Sequence, residues 1–128
     1  MKAVRMYAPG DLRVEEVSIP EIEEDEVLVK VMAVGICGSD IPRVLHNGVH
    51  FYPIVLGHEF SGDVVEIGEG VTKVKVGDRV SGAPLKPCMK CDDCQKGNFS
   101  LCKHYSFIGS REQGSRLCGD SGTKCSCL

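Results

Sequence analysis

The residues best suited to chemistry are concentrated in one stretch, CMKCDDCQKGNFSLC, which spans positions 88–102. It holds four of the chain's 8 cysteines in the spacing C-x2-C-x2-C-x7-C, namely Cys88, Cys91, Cys94 and Cys102. Cysteines this close can converge on one ion, but a disulfide between immediate neighbours would be strained. Four thiolates in a tetrahedron form a closed structural zinc site, which leaves no open position for a substrate.

An iron–sulfur cluster is the main alternative ligand for these cysteines. In the bacterial ferredoxin pattern C-x2-C-x2-C-x3-C-P the fourth cysteine precedes proline, whereas Cys102 follows a longer spacer and precedes Lys103. The stretch is also charged, which surrounds a cluster poorly; the charged residues are Lys90, Asp92, Asp93 and Lys96. Four unliganded thiols are disfavoured by so dense a grouping, and the spacing therefore predicts zinc.

A second group of residues comes from the segments GICGSD and VLGHEFSG. A lone cysteine is usually a small apolar residue, but a thiolate, an imidazole and a carboxylate together suit an open, catalytic zinc site. Cys37, His58 and Glu59 would supply them. Ser39 could relay a proton, and Asp40 could accept a hydrogen bond from His58. A serine followed by an aspartate, as at positions 39 and 40, is also typical of a helix N-terminus. We expect surface positions for the remaining histidines, which are His46, His50 and His104.

The composition limits the partners that the chain can have. Its 128 residues suffice for one globular domain, and a net charge of −3 gives no reason to expect nucleic acid or an anionic membrane as partner. No apolar run approaches the ~20 residues that a membrane span needs. Acidic residues follow closely on the N-terminus, so we expect no signal peptide, a cytoplasmic protein and reduced thiols.

Short alternating segments bounded by Gly, Pro or Asp predict a mainly β domain. The segments are KAVRMY, LRVEEVSI, EVLVKVMAV, GDVVEIG and DRVSGA. The third is apolar on both faces, which predicts a strand well inside the sheet system. One short helix is expected near residues 39–45, with Pro42 in its first turn. No βαβ alternation is present, so a Rossmann domain is not expected.

The segments GICGSD, PIVLGHEFSG, KVGDRV and the four-cysteine stretch occur in this order in the zinc-containing medium-chain alcohol and polyol dehydrogenases, and residues 1 to about 115 resemble that family. The resemblance implies a GroES-like β-barrel with a few short helices over residues 1–115 and a zinc lobe at 86–104. It implies that Cys37 and His58 bind the catalytic zinc, and that Glu59 is either a third zinc ligand or lies directly behind the ligands. It also implies that the four cysteines bind the structural zinc and that Ser39 relays the proton.

The resemblance further implies the reaction. The parent enzyme would oxidise a secondary alcohol of a polyol or polyol phosphate, transfer the hydride to NAD, and form a homo-oligomer. We expect the family's NAD-binding Rossmann domain and a further zinc ligand to lie outside this chain, which would then be inactive alone. The glycine-spaced stretch GSREQG, at 109–114, lacks the order G-x-G-x-x-G and is expected to be a turn. The alternative is a non-catalytic, zinc-stabilised binding or interaction module.

The tail RLCGDSGTKCSCL, residues 116–128, replaces a strand that the family places after GSREQGS. A permissible codon choice, read one nucleotide later, encodes GSAETVVPNVLA, which resembles that strand and predicts a frameshift. An exposed thiol tail with its own metal or redox role is the alternative. We expect the tail to be loosely placed and to leave a sheet edge open to pairing with another chain.

Overall fold

The structure, a computed structural model, describes residues 1–109, 116–118 and 124–127, and most of its regular elements are strands. The strands are β1 (Lys2–Ala8), β2 (Asp11–Glu16), β3 (Glu26–Gly35), β4 (Ile54–Val55), β5 (Glu59–Ile67), β6 (Arg79–Ser81), β7 (Leu85–Lys86), β8 (Ser106–Phe107), β9 (Arg116–Cys118) and β10 (Lys124–Cys127). The short helices are α1 (Asp40–Pro42), which continues as a π-helical turn (Arg43–Asn47), and α2 (Asp92–Gln95), which precedes a 3-10 turn (Phe99–Leu101). The mainly β prediction and the predicted short helix near residues 39–45 are both confirmed.

The described strands form three sheets, in the orders β2-β1-β4, β6-β5-β3-β10-β9 and β7-β8. The antiparallel pair β3–β5 lies at the centre of the largest sheet. Its buried side chains Val27, Val29, Phe60 and Val64 form the core cluster together with Val71 and Ile108. Burial of such side chains stabilises a fold by about 25 cal/mol per Å² of apolar surface, so β3–β5 is the rigid base on which the loops at its end rest.

Only the first half of β3 fits the prediction of a strand inside the sheet system. Residues 26–29 are buried on both faces, but from Lys30 onwards the strand is largely exposed, and Ile36, just beyond its end, is 83% exposed. The boundary coincides with the extent of β10, which pairs in parallel with residues 26–29. The apolar second half of β3 therefore has one fewer neighbouring strand than its sequence led us to expect.

Strands β9 and β10 lie in the tail that was expected to be loosely placed, so that expectation is wrong for their backbone. β10 pairs with both β3 and β9, because the unpaired N–H and C=O groups along the edge of β3 can be satisfied by an added strand. The rest of the tail, and the predicted turn at 109–114 beyond Gly109, lie outside the described residues. The frameshift stays a prediction. In the part of the chain that the structure describes, no helix is long and apolar enough to cross a membrane.

Candidate metal centres

The four cysteines of the first group lie together in a loop whose two ends are joined by the β7–β8 pair. The Sγ atoms of Cys88, Cys91, Cys94 and Cys102 all lie within 4.8 Å of one another. Cys91 is the residue before α2 and Cys94 lies inside it, while Gly97, at φ +79°, ends the turn. We call residues 88–102 the cysteine lobe. The structure brings together all four residues that the spacing predicted.

Backbone groups in the cysteine lobe already favour one thiolate. The backbone N–H of Cys94 points at the sulfur of Cys91 and lowers the pKa of that thiol to about 6. N–H groups of Lys90 and Cys91 likewise lower the pKa of Cys88. Burial instead raises the pKa of Cys94 to about 12, because a buried thiolate loses its hydration.

This arrangement fits zinc. A zinc ion with four sulfur ligands at about 2.3 Å requires sulfur atoms about 3.8 Å apart, and the 4.8 Å limit is only slightly wider. Cys91 Sγ already lies 4.0 Å from Cys102 Sγ. A cation would relieve the cost of the buried Cys94 thiolate, so the donor set and the burial both suit a closed tetrathiolate site.

The second group is assembled by the ladder between β3 and β5. Gly35, at the end of β3, pairs with Glu59, at the start of β5. Cys37 follows β3 by two residues and His58 directly precedes β5, so these chain-distant residues meet at one end of the pair. The ligand atoms of Cys37, His58 and Glu59 lie within 4.8 Å of one another. The structure therefore brings the three predicted residues together.

Glycine at position 35 allows Glu59 to take this place. A Cβ on Gly35 would lie 2.6 Å from Glu59 Oε2 and 3.1 Å from its Cβ, so the glutamate side chain packs directly over the glycine backbone. His58 is only 5% exposed, and its ring meets that of Phe107 edge-on at 5.3 Å. The imidazole is therefore held by packing, whereas the carboxylate stays exposed.

Ser39 and Asp40 both contact this group. The Ser39 hydroxyl donates to Cys37 Sγ at 3.3 Å. Arg43 Nη1 donates to Ser39 Oγ at 3.3 Å and to Asp40 Oδ1 at 3.0 Å. The other oxygen of Asp40 lies 3.7 Å from His58 Nδ1, beyond hydrogen-bond distance. Asp40 thus faces the predicted nitrogen, and the predicted hydrogen bond is not formed.

His58 Nδ1 is a buried nitrogen with no hydrogen-bond partner in the described structure. An orphaned buried polar atom is costly unless something satisfies it. Beside a thiol and a carboxylate, the imidazole fits a bound metal through its other ring nitrogen, with Nδ1 facing Asp40. The residues present therefore fit an open site with one sulfur, one nitrogen and one oxygen ligand.

A cavity of about 630 Å³ opens beside this group. His58, Glu59, Phe60 and Phe107 line it, together with the exposed end of β3. Such mixed apolar and polar lining is typical of small-molecule sites. No residue of the cysteine lobe lines this cavity. The Cys37–His58–Glu59 centre is therefore open to a cavity, whereas the four-cysteine centre is closed.

Sequence reasoning missed two participants, Arg43 and Phe107. Arg43 follows Ser39 by one helical turn, and i,i+4 spacing was the signal that could have found it. Phe107 comes from β8, beyond the cysteine lobe, and no local pattern links it to His58. The other histidines are exposed as predicted; they are His46, His50 and His104.

Comparison with known proteins gives a family. Residues 23–123 match the model of the alcohol dehydrogenase GroES-like domain. The chain is 51% identical over 115 residues to galactitol 1-phosphate 5-dehydrogenase of Escherichia coli strain K12, covering 89% of this chain and 33% of that protein. It is 46% identical over 123 residues to D-arabitol-phosphate dehydrogenase of Enterococcus avium, covering 90% of this chain and 34% of that protein.

A solved structure agrees with these matches. The crystal structure of galactitol-1-phosphate dehydrogenase from Escherichia coli superposes with a TM-score of 0.85 at 49% identity, covering 95% of this chain and 34% of that one. The match confirms the GroES-like fold and the resemblance carried by GICGSD, PIVLGHEFSG, KVGDRV and the four-cysteine stretch. The chain spans about a third of the length of the relatives that it matches.

Proposed function

The chain belongs to the alcohol dehydrogenase GroES-like domain family, and from this membership we propose that it is the catalytic, zinc-binding domain of a polyol or polyol-phosphate dehydrogenase. The proposal includes a catalytic zinc at Cys37, His58 and Glu59 and a structural zinc at Cys88, Cys91, Cys94 and Cys102. NAD is the proposed hydride acceptor, bound by a protein of the relatives' full length.

The observation that carries the proposal is the open second centre. Cys37, His58 and Glu59 converge within 4.8 Å at the end of a rigid strand pair, beside a cavity of about 630 Å³. A binding module stabilised by zinc needs only the closed cysteine lobe. Three different ligand types, two of which (His58 and Glu59) line a cavity, instead match a catalytic zinc site, which keeps one position for water or substrate.

Each neighbouring residue has a defined part in this proposal. Zinc bound there supplies Lewis-acid polarisation of the substrate oxygen. The Ser39 hydroxyl, in contact with Cys37 Sγ, is placed to accept the alcohol proton and pass it to solvent. Asp40, buried and facing His58 Nδ1, favours the tautomer that leaves the other ring nitrogen free as a ligand. Phe107 packs edge-on against the imidazole and holds its plane.

Polyol chemistry is supported by the relatives. The names of galactitol 1-phosphate 5-dehydrogenase and D-arabitol-phosphate dehydrogenase both specify a phosphorylated polyol as the substrate. Both share nearly the whole length of this chain. The substrate class proposed for this chain is therefore a polyol phosphate, with an unphosphorylated polyol second.

Metal substitution tests the two centres separately. Cobalt added to the metal-free chain should give an intense sulfur-to-cobalt absorption from the tetrathiolate lobe, and a weaker signal from the second centre. Cys37→Ser should remove only the weaker signal, and Cys102→Ser mainly the intense one. Galactitol 1-phosphate should shift the weaker signal in the wild type and leave the Cys37→Ser variant unchanged.

The opposite results would favour a non-catalytic module. If cobalt bound only at the lobe, and Cys37→Ser and His58→Gln left metal content and spectrum unchanged, the proposed catalytic centre would be wrong. The closed lobe would then be the chain's metal site, as the alternative interpretation requires.

A further inference from the structure

A second cavity, of about 450 Å³, shares a lining residue with the first. Phe107 lines both cavities, so the second space adjoins the one that His58 lines. The side chains that line the second cavity are polar or aromatic apart from Val49. They come from the π-helical turn, from the loop that follows it and from the segment between the cysteine lobe and β8: Arg43, Asn47, His50 and Tyr105.

The lining favours an anion. Arg43 carries the formal charge among the lining residues, His50 adds a ring N–H donor, and neither Asp nor Glu is found among those that the structure describes there. Asn47 adds an amide donor. The backbone amides of Gly48 and Val49 are already used, since Gly48 N–H donates to Arg43 O and Val49 N–H donates to the Tyr52 hydroxyl. Recognition therefore rests on side chains.

Hydrogen bonds hold Arg43 in a fixed position beside Ser39 and Cys37 of the proposed catalytic centre. Two hydrogen bonds of 3.3 Å connect Arg43 Nη1 to Ser39 and Ser39 to Cys37 Sγ. The bond to Asp40 also uses Nη1. The guanidinium is forked, so its Nη2 and Nε donors point elsewhere and match the two oxygens of a phosphate. Asp40 offsets part of the positive charge of Arg43. The fixed N–H donors of the guanidinium then supply most of the selectivity for phosphate.

The loop carrying His50 is also fixed. Gly48 has φ +69°, and a Cβ there would collide with the Tyr52 hydroxyl. The same hydroxyl accepts the Val49 N–H at 3.0 Å. The turn thus packs against Tyr52, and a preorganised loop loses less entropy on binding than a mobile one.

We propose that this cavity is the subsite for the phosphorylated end of the polyol, with Arg43, Asn47 and His50 as its anion-binding side chains. The inference rests on the proposed function, since it takes the reacting hydroxyl to lie at the Cys37–His58–Glu59 centre. The substrate would pass Phe107, with its hydroxyl-bearing carbon in the first cavity and its phosphate in the second. Arg43 is a specificity-determining residue that also positions Ser39 and Asp40.

The test compares three ligands by 1H–15N NMR on the zinc-loaded 128-residue chain: galactitol 1-phosphate, galactitol and inorganic phosphate. Galactitol 1-phosphate should shift amide signals around both cavities, and inorganic phosphate only those of residues 47–50. Galactitol should bind roughly tenfold more weakly than its phosphate, as expected when charge-assisted hydrogen bonds are lost.

Variants separate recognition from structure. Arg43→Gln keeps a donor for Asp40 and Ser39 but should abolish the preference for the phosphate, whereas Arg43→Lys should restore part of it. His50→Gln, on an exposed loop, should weaken only the phosphorylated ligand. Arg79→Gln is the matched control, because this arginine is exposed, lies outside the cavity and pairs with Asp63; it should change neither affinity.

The possible failures are distinguishable. Equal affinity for galactitol and its phosphate, or equal effects of Arg43→Gln and Arg79→Gln, would overturn the subsite and leave the proposed function standing. Binding of inorganic phosphate at residues 47–50 without any polyol response would support the anion site and overturn the proposed function. No response to any of the three ligands would overturn both.

Discussion

Asp40 is a buried carboxylate between Arg43 and His58, and the stability of the candidate active site depends on it. Its two oxygens face different groups, with Arg43 Nη1 at 3.0 Å and His58 Nδ1 at 3.7 Å. Asp40→Asn would replace a charge-assisted contact with a neutral one. We expect the free energy of unfolding to fall by ~1.5–3 kcal/mol, measured by urea denaturation.

The control is Asp63→Asn, which breaks an ion pair with the largely exposed Arg79. Exposed pairs contribute only ~0–1 kcal/mol. If both substitutions had the same small effect, Asp40 would be no more than a helix N-terminal residue.

Cys91 gives the metal-free cysteine lobe a pH dependence. The pKa of its thiol is lowered from 9.0 to about 6 in the folded chain. A depressed pKa stabilises the fold above the ordinary value, and this contribution is lost as the pH falls from about 9 towards about 6. At pH ~7 the thiolate of Cys91 should therefore be populated and react with iodoacetamide before Cys94 does.

Mass spectrometry of the alkylated, metal-free chain checks this order. Cys94, whose pKa is raised to about 12 by burial, serves as the internal control. Alkylation of Cys94 at the same rate as Cys91 would show that the lobe does not keep this arrangement without metal. Zinc should suppress labelling of both residues.

At the residue scale, sequence alone was informative where spacing decides geometry. Cysteines two residues apart must share a turn, so the lobe was predictable from its spacing. Asp40 and Arg43 were harder, because whether a carboxylate is buried, and which cation it meets, depends on tertiary packing. The second cavity was invisible for the same reason, since His50 taken alone is an ordinary loop histidine.

At the scale of the strands, β5 can approach β3 closely because position 62 is a glycine. A Cβ on this glycine would collide with the Lys30 carbonyl oxygen and lie 2.8 Å from Val29 Cγ1. Gly62→Ala should therefore separate the two strands and cost ~1–3 kcal/mol, as overpacking does. Thermal denaturation followed by circular dichroism would measure the loss.

Gly38→Ala is the matched control, because a Cβ there meets nothing within 4 Å. It should change stability little, or raise it by up to ~1 kcal/mol by restricting the unfolded chain. A Gly62→Ala variant as stable as Gly38→Ala would mean that the ladder relaxes without cost.

The two halves of β3 should respond differently to the same substitution. Val29 is fully buried, whereas Val34 is 61% exposed. Val29→Thr buries a hydroxyl and should cost ~1–3 kcal/mol, while Val34→Thr should stay within ~0.5 kcal/mol. Equal losses in urea titrations would show that the outer half of β3 is covered in solution.

The sequence of β3 could not reveal this division. Its apolar alternation continues through both halves, and alternation reports the chemistry of a face rather than what covers it. The extent of β10 marks the boundary, and the composition of the tail gave no signal for that strand.

At the scale of the whole molecule, the cysteine lobe and the core are structurally separate. All six buried core residues come from outside the segment between β7 and the end of β8, although Ile108 follows that segment directly. Metal removal should therefore open residues 88–104 first, since the lobe has few other stabilising contacts. Residues 26–35 and 59–67 should keep their amide protection.

Hydrogen exchange with mass spectrometry, before and after chelation, resolves the two regions. Returning zinc should restore protection in the lobe. Simultaneous loss of protection in both regions would show that lobe and core unfold as one cooperative unit.

The Gly35–Glu59 pairing has a consequence for how such a domain diversifies. Cys37 enters and His58 leaves a loop whose two ends are fixed by the β3–β5 ladder. Insertions and substitutions between them leave the ends in register, because closing a longer loop costs only about 0.6 kcal/mol per doubling of its length. The residues that would select a substrate, Arg43 and His50, lie inside this loop. New specificities can therefore be acquired by changing the part of the loop that follows Ser39 and Asp40, while the groups that perform the reaction remain in place.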